Sequence, residues 1–362
     1  GSLYHIPIMS KELCGENKRM NEFNTKIIPK FRALLVTDEE IIGARGYDIL
    51  KYDIHTARMC KQSAVIDRKY AILSRFFLTR RFFRAEITNL YELSDGTQLL
   101  IAKKGIFRKE KNSNTFSKCF HIPRGSRPMN LCIDEKDNIY FGEYFSNFEK
   151  KPIHIYASFD KGLTWKKVYT FREGEINHIH GIFYDKYTNW KWVVTGDREN
   201  ECIIGYTDND FQNLNIVFRG GQEYRTCNLL FFNDFIVFVT DSQYIPNVIK
   251  KFDRKTLEIT SLQFIEGSGI YAGQNNSFSF VSTTIEPSTV NLDQYSHLYI
   301  SEDGLNWVEI AKYKKDKWHK SAFQFGSIQF PRYETTNKLS FIIYSGRALK
   351  KIDSKTVIQK VK

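Results

Sequence analysis

A short polar hairpin that returns at intervals of nearly fifty residues is the feature that most constrains this chain. Its fullest copy is Ser158-Phe-Asp160-Lys-Gly162-Leu-Thr164-Trp165. In such a string the aspartate accepts backbone N–H bonds across a tight turn, and the glycine permits a positive φ. Thr164 and Trp165 then open the next strand, with the indole free to pack on a neighbouring sheet. Ser301-Glu-Asp303-Gly304-Leu-Asn306-Trp307 is a second copy, one residue shorter, and Ile204-Gly-Tyr-Thr207-Asp-Asn209-Asp-Phe211 is a degenerate third. A different hairpin, Lys250-Lys-Phe-Asp253-Arg-Lys-Thr256-Leu, reappears as Lys350-Lys-Ile-Asp353-Ser-Lys-Thr356-Val and, more faintly, as Lys51-Tyr-Asp53-Ile-His-Thr56-Ala.

Taken from Asp53 through Ser158, Thr207, Asp253 and Ser301 to Asp353, the separations are 105, 49, 46, 48 and 52 residues. The first is a double step, so a further hairpin is expected near Lys109. Equivalent hairpins at this spacing fit four-stranded blades, and the expected fold is an all-β, seven-bladed β-propeller, with six blades as the alternative. The composition agrees: 15% aromatic residues, only 8 Pro in 362 residues, and short apolar runs such as Ile236-Val-Phe-Val-Thr240. No stretch longer than about two turns carries a helical period. Length alone would favour two domains, but no Pro/Ser/Gly linker interrupts the repeat. One propeller is therefore expected over residues 26–362. Residues 1–25 form an extension outside the register, and Gly1-Ser2 resembles a cloning scar.

A formal charge of +12, from 53 Lys and Arg against 41 Asp and Glu, points to a polyanionic partner. Part of that excess is a solvated lysine exterior. Nucleic acid is not expected, because no recognised nucleic-acid motif accompanies the charge. The six cysteines (Cys14, Cys60, Cys119, Cys132, Cys202 and Cys227) show no metal-ligand spacing and read as buried thiols, with a disulfide or two left open. No 18-residue apolar run exists to span a membrane. The compartment stays open, with the periplasm, the cell surface or secretion favoured over the cytoplasm.

Propeller topology turns sequence positions into places. The hairpins belong on one face, between third and fourth strands. Ligands belong on the other, at the mouth of the central channel, where several blades can each contribute a side chain. Loops leading into the inner strands are rich in His, Arg and Tyr: Arg80, Arg81 and Arg84; Arg124 and Arg127; His178 and His180; Tyr224 and Arg225; Tyr271; Trp318 and His319. Acids recur at the ends of four successive second strands, at Glu143 (beside Tyr144), Asp197, Asp241 and Glu286. His178 and His180, two apart on a strand, point to one side. They read as a proton-transfer pair, as half of a metal site completed by Asp197 or Glu143, or as structural residues bonded to adjacent loops. No metal or other cofactor is assigned. Arg127 and Arg225 suit a carboxylate or sulfate, and a structural ion pair with the acids is the competing role.

The string S-x-D-x-G-x-T-W resembles the Asp box of the sialidase-like β-propellers, and the segment from Gly142-Glu-Tyr to Thr284-Ile-Glu-Pro-Ser288 is similar to uncharacterised bacterial members. That superfamily includes glycosidases, polysaccharide lyases, glycan-binding domains and a photosystem assembly factor, and its boxes lie far from the active site. Sialidases add an F-R-I-P-like string supplying the first of three arginines, and a Tyr–Glu nucleophile pair. Here only Phe31-Arg32-Ala33-Leu34 approaches that string. Three functions stay open. A lyase acting on an acidic polysaccharide would use Arg225 or Arg127 on a uronate, with His178, His180 or Tyr224 removing the proton. A glycoside hydrolase would use two of Glu143, Asp197, Asp241 and Glu286. A non-catalytic glycan-binding or assembly propeller would stack sugars on Tyr144, Tyr224, Tyr271 and Trp318. The expected substrate-binding set is Arg124, Arg127, Glu143, Tyr144, Asp197, Asp241, Tyr271 and Glu286.

Overall fold

Runs of Val, Ile, Phe and Tyr bounded by Asn, Asp and Gly make strands, because such side chains pack on a pleated surface while the bounding residues accept turns. The computed structural model describes residues 25–318 and 324–361. Over them the chain is all-β, with two short α-helices. Cys14 and His319 lie outside the described residues.

The ladders fall into runs of four antiparallel strands. Three are separate sheets: Cys132–Ile133, Ile139–Gly142, Ile153–Ser158 and Lys166–Phe171; His178–Asp185, Trp190–Gly196, Cys202–Thr207 and Asn215–Gly220; Thr226–Phe231, Phe235–Thr240, Asn247–Asp253 and Ile259–Ile265. Two larger sheets each hold two more runs. One contains Arg32–Thr37, Glu40–Arg45, Asp48–Asp53 and Met59–Val65, followed by Asn89–Glu92, Gln98–Ala102, Gly105–Lys109 and Thr115–His121. The other contains Ser268–Gln274, Ser279–Ile285, Tyr295–Ser301 and Val308–Lys314, followed by Gly326–Gln329, Phe341–Arg347 and Lys355–Lys360. The fourth strand of this last run is Thr25–Pro29, from the opposite end of the described chain, paired from Thr25 with Gln359 to Pro29 with Lys355. In most neighbouring runs the first strands pack against one another, as the inner strands of propeller blades do.

Apolar side chains between neighbouring runs form the core. Tyr140, Ile155 and Phe171 of one run meet Ile179, Val193 and Ile203 of the next, all nearly inaccessible to water. An ion pair fastens the second of these runs to the one after it. Arg254, in the third hairpin of its run, reaches the fully buried Asp185 of the preceding run at 2.5 and 3.1 Å.

The repeated hairpins share one geometry. Ser158 Oγ donates to Asp160 and accepts the Gly162 N–H, both at 2.8 Å, and Asp160 accepts the Thr164 N–H at 2.8 Å. Gly162 has φ +86°, and the Trp165 indole donates to its carbonyl. Ser301, Asp303, Gly304 and Trp307 repeat these bonds, and Thr207 and Asn209 reproduce the serine and aspartate roles. A hairpin also follows Gly105–Lys109, where the spacing requires one. These hairpins all join third to fourth strands.

The hairpin around Asp353 does not. It joins the second and third strands of the last run, and its backbone bonds Lys314 and Asp316 at the opposite face. The reason is the closure: the fourth strand there comes from the other end of the chain, so no third-to-fourth hairpin exists in that run. A second difference concerns Arg80, Arg81 and Arg84, expected in a plain loop. They sit on a helical insertion, Arg68–Arg75 and Phe77–Phe83, capped by Asp67 at its start and by Arg84 in the left-handed region at its end. Ile72, Phe76, Leu78 and Phe82 of this insertion are exposed.

Candidate active site at the channel mouth

The acids expected at the ends of second strands are where the repeat places them. Glu143 follows Ile139–Gly142, Asp197 follows Trp190–Gly196, Asp241 follows Phe235–Thr240, and Glu286 follows Ser279–Ile285. Only part of this ring gathers around the histidines.

His178 and His180 open the innermost strand of their run and are buried. The Nδ1 atoms face backbone carbonyls, that of His178 on Phe145 and that of His180 on Thr226, each at 2.9 Å. Both Nδ1 atoms therefore carry the proton, and both Nε2 atoms turn inward. The two Nε2 atoms lie 3.1 Å apart. Asp197 meets them with Oδ1 at 2.9 Å from His180 and Oδ2 at 3.3 Å from His178. Gly196 makes this packing possible, because a Cβ there would collide with the His180 ring.

Arg225 extends the group, lying 3.2 Å from Asp197 and 3.7 Å from Asp241. The Cys227 thiol contacts Asp241 at 3.4 Å, and burial pushes it well above the ordinary thiol range, so it stays protonated. Tyr144 covers the imidazoles, its ring centre 4.4 Å from that of His178. Burial also raises the Tyr144 phenol, with Cys227, Asp197 and Asp241 adding to the shift.

Across the mouth lies an arginine cluster. Arg32, on the first strand of its run, pairs with Glu86 at 3.1 Å, and Arg347 pairs with the same carboxylate. Gln329 accepts from Arg32 and donates to the Tyr271 hydroxyl at 3.1 Å. Arg127 donates to the Arg84 carbonyl at 3.3 Å. Burial pulls Arg32 and Arg127 down to about 10. Burial, with the charges of Arg32, Arg84 and Arg81, drives Arg347 well below the ordinary arginine range. Burial raises the Tyr271 phenol, Arg32 and Arg127 oppose that shift, and Cys227 adds to it.

Several expected residues lie elsewhere. Tyr224 sits on a 3₁₀ turn and stacks on Phe218 of the outermost strand, with ring centres 5.3 Å apart and 12° between the planes. Arg124 and Glu143 saturate one another: Arg124 Nε donates to Glu143 Oε1 at 2.9 Å, Nη2 bonds the other carboxylate oxygen, and Glu143 also accepts the His154 N–H. Glu286 is half-buried in the loop beyond its strand. Arg347, Glu86 and Gln329 were missed, and Arg32 was noted only as a poor counterpart of the F-R-I-P string. Their signal was weak, a single charge at the border of an apolar run such as Arg32-Ala-Leu-Leu-Val or Phe341-Ile-Ile-Tyr-Ser-Gly-Arg347. The thiols of Cys60, Cys119, Cys132, Cys202 and Cys227 are all free, but only the last three are buried; Cys60 is exposed and Cys119 half-buried, against the expectation of burial. Among the described residues no helix is long and apolar enough to cross a membrane.

No protein-family model matches the sequence, and no curated protein matches it. Solved structures do. A chain of the mitotic checkpoint complex matches with TM-score 0.55 at 7% identity, over 98% of this chain and 100% of that one. The WD40 β-propeller domain of Doa1 gives 0.55 at 10% identity, over 92% and 94%. YCF48 bound to D1 peptide gives 0.54 at 9% identity, over 96% and 100%. The chain has a β-propeller fold. At such identities the likeness reaches no further than the fold.

Proposed function

We propose that this propeller binds an acidic saccharide at the channel mouth and cleaves it by β-elimination. The supporting observation is the arginine cluster. Arg32 and Arg347 share Glu86, Arg127 lies within electrostatic reach of Arg32, and burial lowers all three guanidinium pKa values, with neighbouring arginines adding to the shift at Arg127 and Arg347. A ligand carboxylate or sulfate supplies counter-charge through paired N–H bonds. Beside a uronate held there, the carbon next to the carboxylate becomes more acidic. Its proton passes to a base in the imidazole–tyrosine group, the electron pair forms a C4=C5 double bond, and the C4–O bond breaks. The leaving oxygen takes up a proton. Tyr144 replaces Tyr224 as the tyrosine in this scheme, because Tyr144 is the one lying on His178. The paired hairpins support placing the chain among the Asp-box propellers.

A sialidase-like hydrolase is the second reading, favoured by the meeting of Arg32 with Arg127 and Arg347, three arginines suited to one carboxylate. Against it, the Tyr271 hydroxyl is bonded to Gln329 rather than to a carboxylate. The test is incubation with a panel of uronate polysaccharides and sialosides. Growth of ultraviolet absorbance from an unsaturated uronate supports elimination. New reducing ends or released sialic acid without that absorbance would select hydrolysis. Thermal stabilisation by a glycan with no product would reduce the protein to a glycan-binding propeller.

A further inference from the structure

We infer that His178, His180 and Asp197 form a binding site for one divalent transition-metal ion of the zinc type. The argument starts from the tautomers. Each Nδ1 is committed as a donor to a backbone carbonyl, so each neutral imidazole presents an Nε2 lone pair to the other, 3.1 Å away. Asp197 turns both carboxylate oxygens to the same point, at 2.9 and 3.3 Å from those nitrogens. Three electron-rich atoms this close repel one another unless a positive centre lies among them. An ion held about 2.0–2.2 Å from each ligand spaces neighbouring ligand atoms roughly 3.0–3.5 Å apart, which is the spacing found here.

The surroundings follow the pattern of a built metal site. Backbone carbonyls fix both ring orientations, which is how protein zinc sites set the tautomer of their histidines. Arg225 holds Asp197 from behind and is balanced by Asp241. Two imidazoles and one carboxylate are a ligand set for zinc or a neighbouring first-row metal, and they leave coordination positions for a ligand. Asp197, the most accessible of the three, gives those positions a way to solvent, whereas both imidazoles are buried. The neighbouring trio of His180, Cys227 and Asp241 is a poorer candidate, because its thiol stays protonated and bonded to Asp241. With the ion in place neither Nε2 can take a proton.

The site is tested without any saccharide. Protein stripped with a chelator and dialysed is titrated with Zn²⁺ by calorimetry, and in parallel with Co²⁺ while visible d–d absorption is followed. One equivalent bound, with the intense Co²⁺ bands of a low-coordinate nitrogen–oxygen site, is expected. His178→Gln and Asp197→Asn should each weaken binding at least about tenfold, with far-ultraviolet circular dichroism unchanged. No stoichiometric uptake by the wild type would overturn the inference, and so would uptake that both variants leave unaltered. A nuclear magnetic resonance spectrum showing one of the pair as a metal-free imidazolium in excess Zn²⁺ would overturn it too, since a proton would then occupy the place of the ion. A failed glycan panel leaves a positive titration standing, and a failed titration leaves the glycan reading standing.

Discussion

Replacing Arg254 by Met should cost about 3 kcal/mol of folding stability, because it strands a carboxylate in the core. Asp185 is fully buried, and Arg254 gives it two N–H bonds while its Nε donates to the Phe232 carbonyl at 2.8 Å. Methionine keeps the aliphatic stem but removes the guanidinium, which also lies over the Tyr187 and Phe231 rings. Breaking a buried pair from one side costs about 3–5 kcal/mol. The lower end applies here, since Asp185 still accepts from the Tyr187 N–H and the Thr188 hydroxyl. An unfolding entropy of about 2.1 cal/mol/K per residue gives roughly 0.8 kcal/mol/K for a chain of this size, so the melting temperature should fall about 4 °C. Denaturant unfolding and calorimetry would measure both. The double variant Asp185→Asn with Arg254→Met should recover part of the loss, because no uncompensated charge then remains. A cost below about 1 kcal/mol for Arg254→Met, or a double variant as unstable as the sum of the singles, would refute the argument.

Four further outcomes are expected. Asp303→Ala should cost about 1–2 kcal/mol at pH 7 through the lost turn bonds, with function intact. The Asn306 N–H and its companions hold the Asp303 carboxyl below its ordinary value, a contribution present above the unfolded pKa of about 3.9 and lost as pH falls. The gap between wild type and Asp303→Ala should therefore narrow on acidification below pH ~4, and a gap that widens would contradict it. Gly196→Ala should displace the His180 ring, weakening Zn²⁺ uptake while the sheet survives by circular dichroism. Tyr144→Phe should remove elimination activity, whereas Tyr224→Phe should leave the rate within about twofold, a difference near 0.4 kcal/mol in the barrier; equal losses would mean the two rings are placed incorrectly. Arg32→Gln together with Arg127→Gln should abolish stabilisation by sulfate or a uronate oligosaccharide, read as a shift in melting temperature, and a shift equal to that of the wild type would remove the arginines from the binding site.

Much of the architecture was legible because hairpin chemistry is local. Ser158, Asp160 and Gly162 specify a turn through bonds within eight residues, and repetition of that turn sets the strand count between copies. The acids at 143, 197, 241 and 286 were legible for the same reason, each standing one residue beyond a strand whose end the repeat fixes. The Asp353 hairpin misled because its sequence is a local signal too, and says nothing of which strands it joins. The helical insertion at 68–83 was hidden by its length, since about two turns give too few residues for a period to stand out.

Local chemistry in the sequence thus determined the all-β repeat, the hairpins and the loops that face the channel. Only the tertiary structure decided which of those side chains meet. Tyr144 and Tyr224 are indistinguishable as tyrosines on channel-side loops, yet one covers His178 and the other stacks on an outer strand. Arg32 and Arg347 lie more than three hundred residues apart and share Glu86, because Thr25–Pro29 closes the ring and brings the first and last runs together. The tautomers of His178 and His180 were fixed by carbonyls of Phe145 and Thr226, contributed by other runs. Pairings of this kind depend on the closure of the whole ring, a long-range condition that no window of sequence contains.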